Sequence, residues 1–126
     1  MVELTPLATG DRLTVEAYGD GGFRLGGRRH EGSLLVLPDQ VLAWPVAEFA
    51  QITAEGLLPL WQAAPHLEIL LLGCGPRLRP VAPALSQAVR AAGPVLEPMD
   101  TGAACRTYNL LLAEGRAVGA ALIAVV

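Results

Sequence analysis

Two glycine-bracketed segments hold the groups best suited to chemistry. Gly73-Cys74-Gly75-Pro76 follows the apolar run EILLL at 68–72, and Arg77 and Arg79 come directly after it. Met99-Asp100-Thr101-Gly102 opens a helical stretch, with Arg106 one turn further on. Glycine lets a backbone approach a ligand closely, and the free N–H groups at a helix N-terminus attract anions. If the two preceding strands are neighbours, Gly73, Cys74, Gly75, Asp100, Thr101 and Arg106 face one cleft able to take phosphate, sulfate or carboxylate. The simpler reading, ordinary strand-to-helix turns with arginines on solvated faces, ranks above it.

Groups for covalent or acid–base chemistry are sparse. Cys105 falls in the first turns of that helix, where the helix dipole lowers a thiol pKa. No histidine is near it in sequence, and only His30 and His66 exist, so a buried structural cysteine is the expectation. Neither Ser33 nor Ser86 sits in a GxSxG turn. His30-Glu31 lacks the second histidine of a zinc-binding HExxH helix, and no two ligands have metal spacing. His30 reads as a turn residue and His66 as a cap on the helix stopped by Pro65. Glu114 and Arg116, with Arg106 and Glu97, read as a structural charge cluster. No catalytic residue, metal or cofactor is assigned.

Composition removes further classes. All nine basic residues of the 126 are arginine. Without lysine there is neither a Walker A phosphate loop nor Schiff-base chemistry. A net charge of −3, a pI near 5.3 and 5% aromatics supply no footprint for nucleic acid. No apolar run approaches the roughly 20 residues that span a bilayer. The first residues, MVELTPLATGDRL, carry Glu3 and Asp11 without a basic n-region, so no secretory signal is expected. Two cysteines do not make a disulfide framework, and the cytoplasm is the expected compartment.

The elements that must position these groups follow from periodicity. The length suits one domain, with residues 1–11 as a flexible lead and 12–126 as a single α/β domain. Leu13, Val15 and Ala17 alternate with polar residues, Gly19-Asp20-Gly21-Gly22 turns, residues 23–25 extend, and Gly26-Gly27 turns again. GSLLVLP at 32–38 and VLAW at 41–44 are two short apolar strands. Thr53 caps a helix whose apolar positions are Leu57, Leu60, Trp61 and Ala64. Residues 68–72 form a buried strand, 80–92 a helix closed by Gly93-Pro94, and 95–99 a strand with Pro98 near its end. Asp100 and Thr101 cap a helix to about Ala113, Gly115 is its left-handed C′ residue, and 117–125 is the last strand. The β-α-β-α-β order calls for parallel strands with right-handed crossovers. Antiparallel strands of the first half pack with this unit.

The segment EPMDTGAACRTYNLLLAEGRAVGAALIAV at 97–125 resembles a small α/β family that includes mitochondrial complex I assembly factor 3 and single-domain bacterial and archaeal proteins. The family pattern E-x-M-x-T-x-x-A-x-x-T-Y-N-x-L-x-x-E-x-R is matched by Glu97, Met99, Thr101, Ala104, Thr107, Tyr108, Asn109, Leu111, Glu114 and Arg116. Tyr18, Gly19, Phe23 and Gly27 match a second run, and Gly73-Cys74-Gly75 stands where the family has G-T-G, with cysteine in place of threonine. The resemblance implies a three-layer β/β/α fold with a hammerhead-like antiparallel arrangement. It implies no agreed enzymatic activity. One eukaryotic relative is an assembly factor acting through protein contacts at the inner membrane, and others are linked to adipogenesis.

Together these readings favour a non-enzymatic protein-interaction module, an assembly factor for a complex I-like respiratory complex. Its expected partners are respiratory-complex subunits or assembly proteins, which would hold it at the inner membrane, or a second copy of itself. The alternative is a binder of a small anionic ligand, or an enzyme of unassigned reaction, using the cleft at the strand carboxyl ends.

Overall fold

Leu34, Leu35, Val36 and Leu37 are all buried, so the strand they form must have apolar neighbours on both faces. The same holds for Val118–Leu122, whose small residues Gly119, Ala120 and Ala121 let layers approach closely. These two strands pair antiparallel at the centre of the molecule. A computed structural model describes residues 6–126; residues 1–5 of the expected flexible lead lie outside the described residues.

In chain order the strands are β1 (Ala8–Thr9), β2 (Val15–Gly19), β3 (Gly22–Leu25), β4 (Arg28–Glu31), β5 (Leu34–Leu37), β6 (Gln40–Ala43), β7 (Ile69–Gly73), β8 (Val95–Met99) and β9 (Val118–Leu122). The helices are α1 (Leu58–Ala63), α2 (Pro83–Ala92) and α3 (Thr101–Ala113), and two single 3-10 turns lead into α1. One six-stranded mixed sheet has the order β1-β6-β5-β9-β7-β8, and a separate three-stranded meander has the order β2-β3-β4. The pairs β9–β7 and β7–β8 are parallel, as the β-α-β-α-β order requires. The remaining pairs are antiparallel.

The mixed α/β architecture is the one expected, and of the antiparallel strands β1, β5 and β6 belong to the larger sheet while β2, β3 and β4 form the separate meander. β5 and β6 join the parallel strands in one sheet because β5 is buried on both faces. One side of that sheet is covered by the meander and α3, through Phe23, Leu25, Cys105 and Tyr108. The other side is covered by α1 and α2, through Leu57, Leu60 and Val89. No helix among the described residues is long and apolar enough to cross a membrane.

Three local readings change. The lead is not loose throughout, since Ala8–Thr9 pairs with Val41 and Gln40 at the edge of β6. His30 is a strand residue, set opposite Phe23 in β4. Gly26 and Gly27 have φ of 59° and 74°, the pair of positive angles a type I′ hairpin needs, so RRHE must return along β3. α2 begins at Pro83, three residues late, because Ala82 is extended and proline suits the first helical position.

Pro98 explains its own tolerance. Val95 N–H donates to Glu68 O at 2.9 Å and Met99 O accepts from Cys74 N–H at 2.8 Å, so alternate residues of β8 bond to β7. Pro98 lies out of that phase and turns its donorless nitrogen to the open edge, which discourages pairing with another chain.

Candidate functional site

The parallel strands β9, β7 and β8 end side by side, and the loops leaving them carry five of the six expected site residues. Thr101 ties the three ends together. Its hydroxyl donates to Ile123 O at 2.7 Å and accepts from Gly75 N–H at 3.0 Å. Its own N–H donates to Gly75 O at 2.8 Å, and the residue is 0% exposed. Gly73 leaves little room for a side chain, because a Cβ there would sit 3.0 Å from Thr101 Oγ1 and 3.1 Å from Thr101 Cα.

This closeness consumes the amides on which an anion would rest. Cys74 N–H is bonded to Met99 O, and Gly75 N–H to Thr101. Asp100 Oδ1 accepts from Ala103 N–H at 2.9 Å and caps α3, as its type predicts. Gly73, Cys74, Gly75, Asp100 and Thr101 therefore meet, and their polar groups largely satisfy one another. Arg106 stands apart from them. It donates to the Tyr18 hydroxyl at 2.8 Å on the outer face of α3. Tyr18 reaches there because Gly102 leaves space; a Cβ would come within 2.5 Å of the phenol oxygen.

Neither cysteine is poised to react. Burial pushes the Cys105 thiol up to about 12, outweighing the nearby Arg106 charge. Burial raises Cys74 as well. His30 is buried with Nε2 unpartnered among the described residues, and burial, then Arg28, lowers its pKa. No group of three or more metal-ligating side chains comes together among the described residues. Two ion pairs form there, Arg24–Glu16 and Arg29–Glu31, so the expected cluster of Glu114, Arg116, Arg106 and Glu97 is not formed.

Open space lies beside the closed loops. A cleft of about 330 Å³ is lined by Ala47, Phe49, Cys74, Gly75, Arg79 and Ile123, among others. A second, of about 200 Å³, lies across Gly75 and Pro76, against Tyr18, Asp100 and Gly102. The segment at 47–50 was not expected at the site. A local signal was there: Glu48 and Gln51 form a capping box, with Gln51 Oε1 accepting from Ala47 N–H (2.7 Å) and Glu48 N–H (2.9 Å), but its position beside Cys74 and Gly75 is tertiary. Tyr108 and Asn109 were also missed as fasteners, although both stand in the pattern at 97–116.

Residues 15–123 match the family model described as protein of unknown function (DUF498/DUF598). The chain is 37% identical over 119 residues to the bovine NADH dehydrogenase [ubiquinone] 1 alpha subcomplex assembly factor 3, covering 94% of this chain and 62% of that protein. An uncharacterised protein of Rhodobacter capsulatus is 36% identical over 88% of this chain and 84% of its own length. The chain thus spans about three-fifths of the length of the animal relatives. A crystal structure described as an outer membrane protein of Bartonella henselae superposes with TM-score 0.85 at 34% identity, covering 94% of this chain and 99% of that one. A solution structure from Bordetella pertussis, described as an Mth938-like domain, superposes with TM-score 0.77 at 34% identity, covering 98% and 92%.

Proposed function

The chain belongs to the DUF498/DUF598 family, and from that membership we propose that it is a non-catalytic protein-interaction module in the assembly of a complex I-like respiratory complex. The observation that carries this reading is the similarity to complex I assembly factor 3 across 94% of the chain. The chemistry at the strand ends supports it. Thr101 occupies the Gly75 amide, and both thiols are buried and hard to ionise. On the outer face, Tyr18 is 41% exposed and Leu110 is 59% exposed, with Arg106 held by Tyr18. Tyrosine and arginine are over-represented among residues that dominate binding at protein interfaces. In this reading the module works in the cytoplasm and reaches the membrane through its partners.

The test is affinity capture of the full tagged chain from detergent-solubilised membranes of its native host. Complex I subunits or assembly proteins should be recovered, and Tyr18→Ala with Arg106→Ala should reduce their yield. Deletion of the gene should lower the amount of assembled complex on native gels. Fully assembled complex in the deletion strain overturns the proposal.

A second reading has the cleft beside Cys74 and Gly75 in its favour: a small anionic ligand held at the strand carboxyl ends. Gly73, Cys74, Gly75, Asp100, Thr101 and Arg106 were its expected contacts. Of these, Cys74 and Gly75 line that cleft.

A further inference from the structure

The cation at the cleft is Arg79. Its guanidinium lies over the Phe49 ring, 5.0 Å from the centroid. It takes part in neither ion pair found among the described residues. A guanidinium seated over a ring leaves N–H groups free to fork onto a carboxylate. Ile123 and Cys74, 3% and 4% exposed, are apolar members of the same lining. Glu48 also lines the cleft, and its charge disfavours a dianion. The volume of about 330 Å³ is at the small end of the range for small-molecule sites.

We propose that this cleft binds a monocarboxylate with a compact apolar body. Arg79, seated over Phe49, forks onto the carboxylate, and Ile123 with Ala124 covers the body. The site deepens the second reading above by naming the ligand class and replacing Arg106 with Arg79. It is independent of any role in assembly. The same chemistry is offered by a free carboxylic acid and by the carboxyl end of a partner's chain.

The test is an amide-resolved NMR titration of the full chain with phenylacetate, with neutral phenylacetamide as control. Phenylacetate should move the amides of Ala47, Phe49, Gly75 and Ala124 and saturate at about 1–10 mM, as expected for so small a ligand. Arg79→Gln should weaken binding about tenfold or more without changing the melting temperature, and Arg79→Lys should fall between, because it keeps charge and loses the fork. A short peptide ending in a free apolar residue that also saturates, while its amidated form does not, assigns the source to a chain end. Saturation by phenylacetate alone assigns it to a free acid. Equal shifts with phenylacetamide, unchanged affinity in Arg79→Gln, or shifts confined to Gly102 and Arg106 each overturn the proposal. The last of these leaves the coarser anion reading standing, and none bears on recovery of complex I proteins.

Discussion

The Asn109 carboxamide grips both backbone groups of Val15: Oδ1 accepts the Val15 N–H at 2.9 Å, and Nδ2 donates to the Val15 carbonyl at 2.9 Å. β2 is an edge of the meander, so a helix side chain stands here in the place of a neighbouring strand. Next to it, the Tyr108 hydroxyl donates to Leu13 O at 3.0 Å, and Arg12 Nη2 reaches Leu112 O. Tyr108-Asn109 is thus a fastener between α3 and residues 13–15. That assigns a structural role to two positions of the pattern at 97–116. Asn109→Leu should destabilise the fold by about 1–3 kcal/mol, because both Val15 groups lose their partner. Asn109→Asp should recover part of this by still accepting from the N–H. Denaturant unfolding of the two variants checks the ranking.

Thr101→Val keeps the shape and removes the hydroxyl from the junction of β7, β8 and β9. Gly75 N–H and Ile123 O would be left buried and unpaired, at a cost of about 2–4 kcal/mol. Thr101→Ser keeps both bonds and should cost less. Equal stability of the Val and Ser variants, measured in the same unfolding experiment, would refute the hydroxyl's role.

His30 makes stability depend on pH. Burial, followed by the Arg28 charge, lowers its folded pKa below the ordinary 6.5. The unfolded chain therefore binds more protons as the pH falls through 6.5. The contribution is fully present above 6.5 and is lost on acidification toward the folded value. Melting temperature should fall with pH in that window, and His30→Phe should flatten the decline.

Both cysteines should resist alkylation in the native protein at pH 8. Burial holds the Cys105 thiol up near 12 and raises Cys74 too, so little thiolate exists at either. Iodoacetamide labelling followed by mass spectrometry should show two fast modifications only after unfolding. Rapid native labelling of Cys105 would contradict its placement.

Gly22→Ala should be among the more damaging glycine changes. A Cβ there would collide with the His30 carbonyl oxygen across the β3–β4 pair, a backbone atom that cannot swing aside. At Gly27 nothing lies within 4 Å, so the same change should meet only the strain of φ +74°. Soluble yield and melting temperature of the two variants compare the effects directly.

What the sequence determined by itself is local or nearly so. Periodicity and caps marked α3 from Asp100 to Gly115, where Asp100 does cap Ala103 and Gly115 has φ +75°. Continuous apolar runs marked β7 and β9, and the alternation of strands and helices required their parallel pairing. Paired glycines marked the hairpin turns, though the strand beyond Gly27 was missed because RRHE has no apolar period.

Tertiary structure alone decided how the site is filled. Thr101 meets Ile123 and Gly75 across separations of 22 and 26 residues, and Arg106 meets Tyr18 across 88. Whether an amide at a strand end is free for an anion, and which arginine faces a cleft, depends on such contacts. No pattern of neighbouring residues encodes them, because a hydrogen bond is spent on whichever partner folding brings within reach.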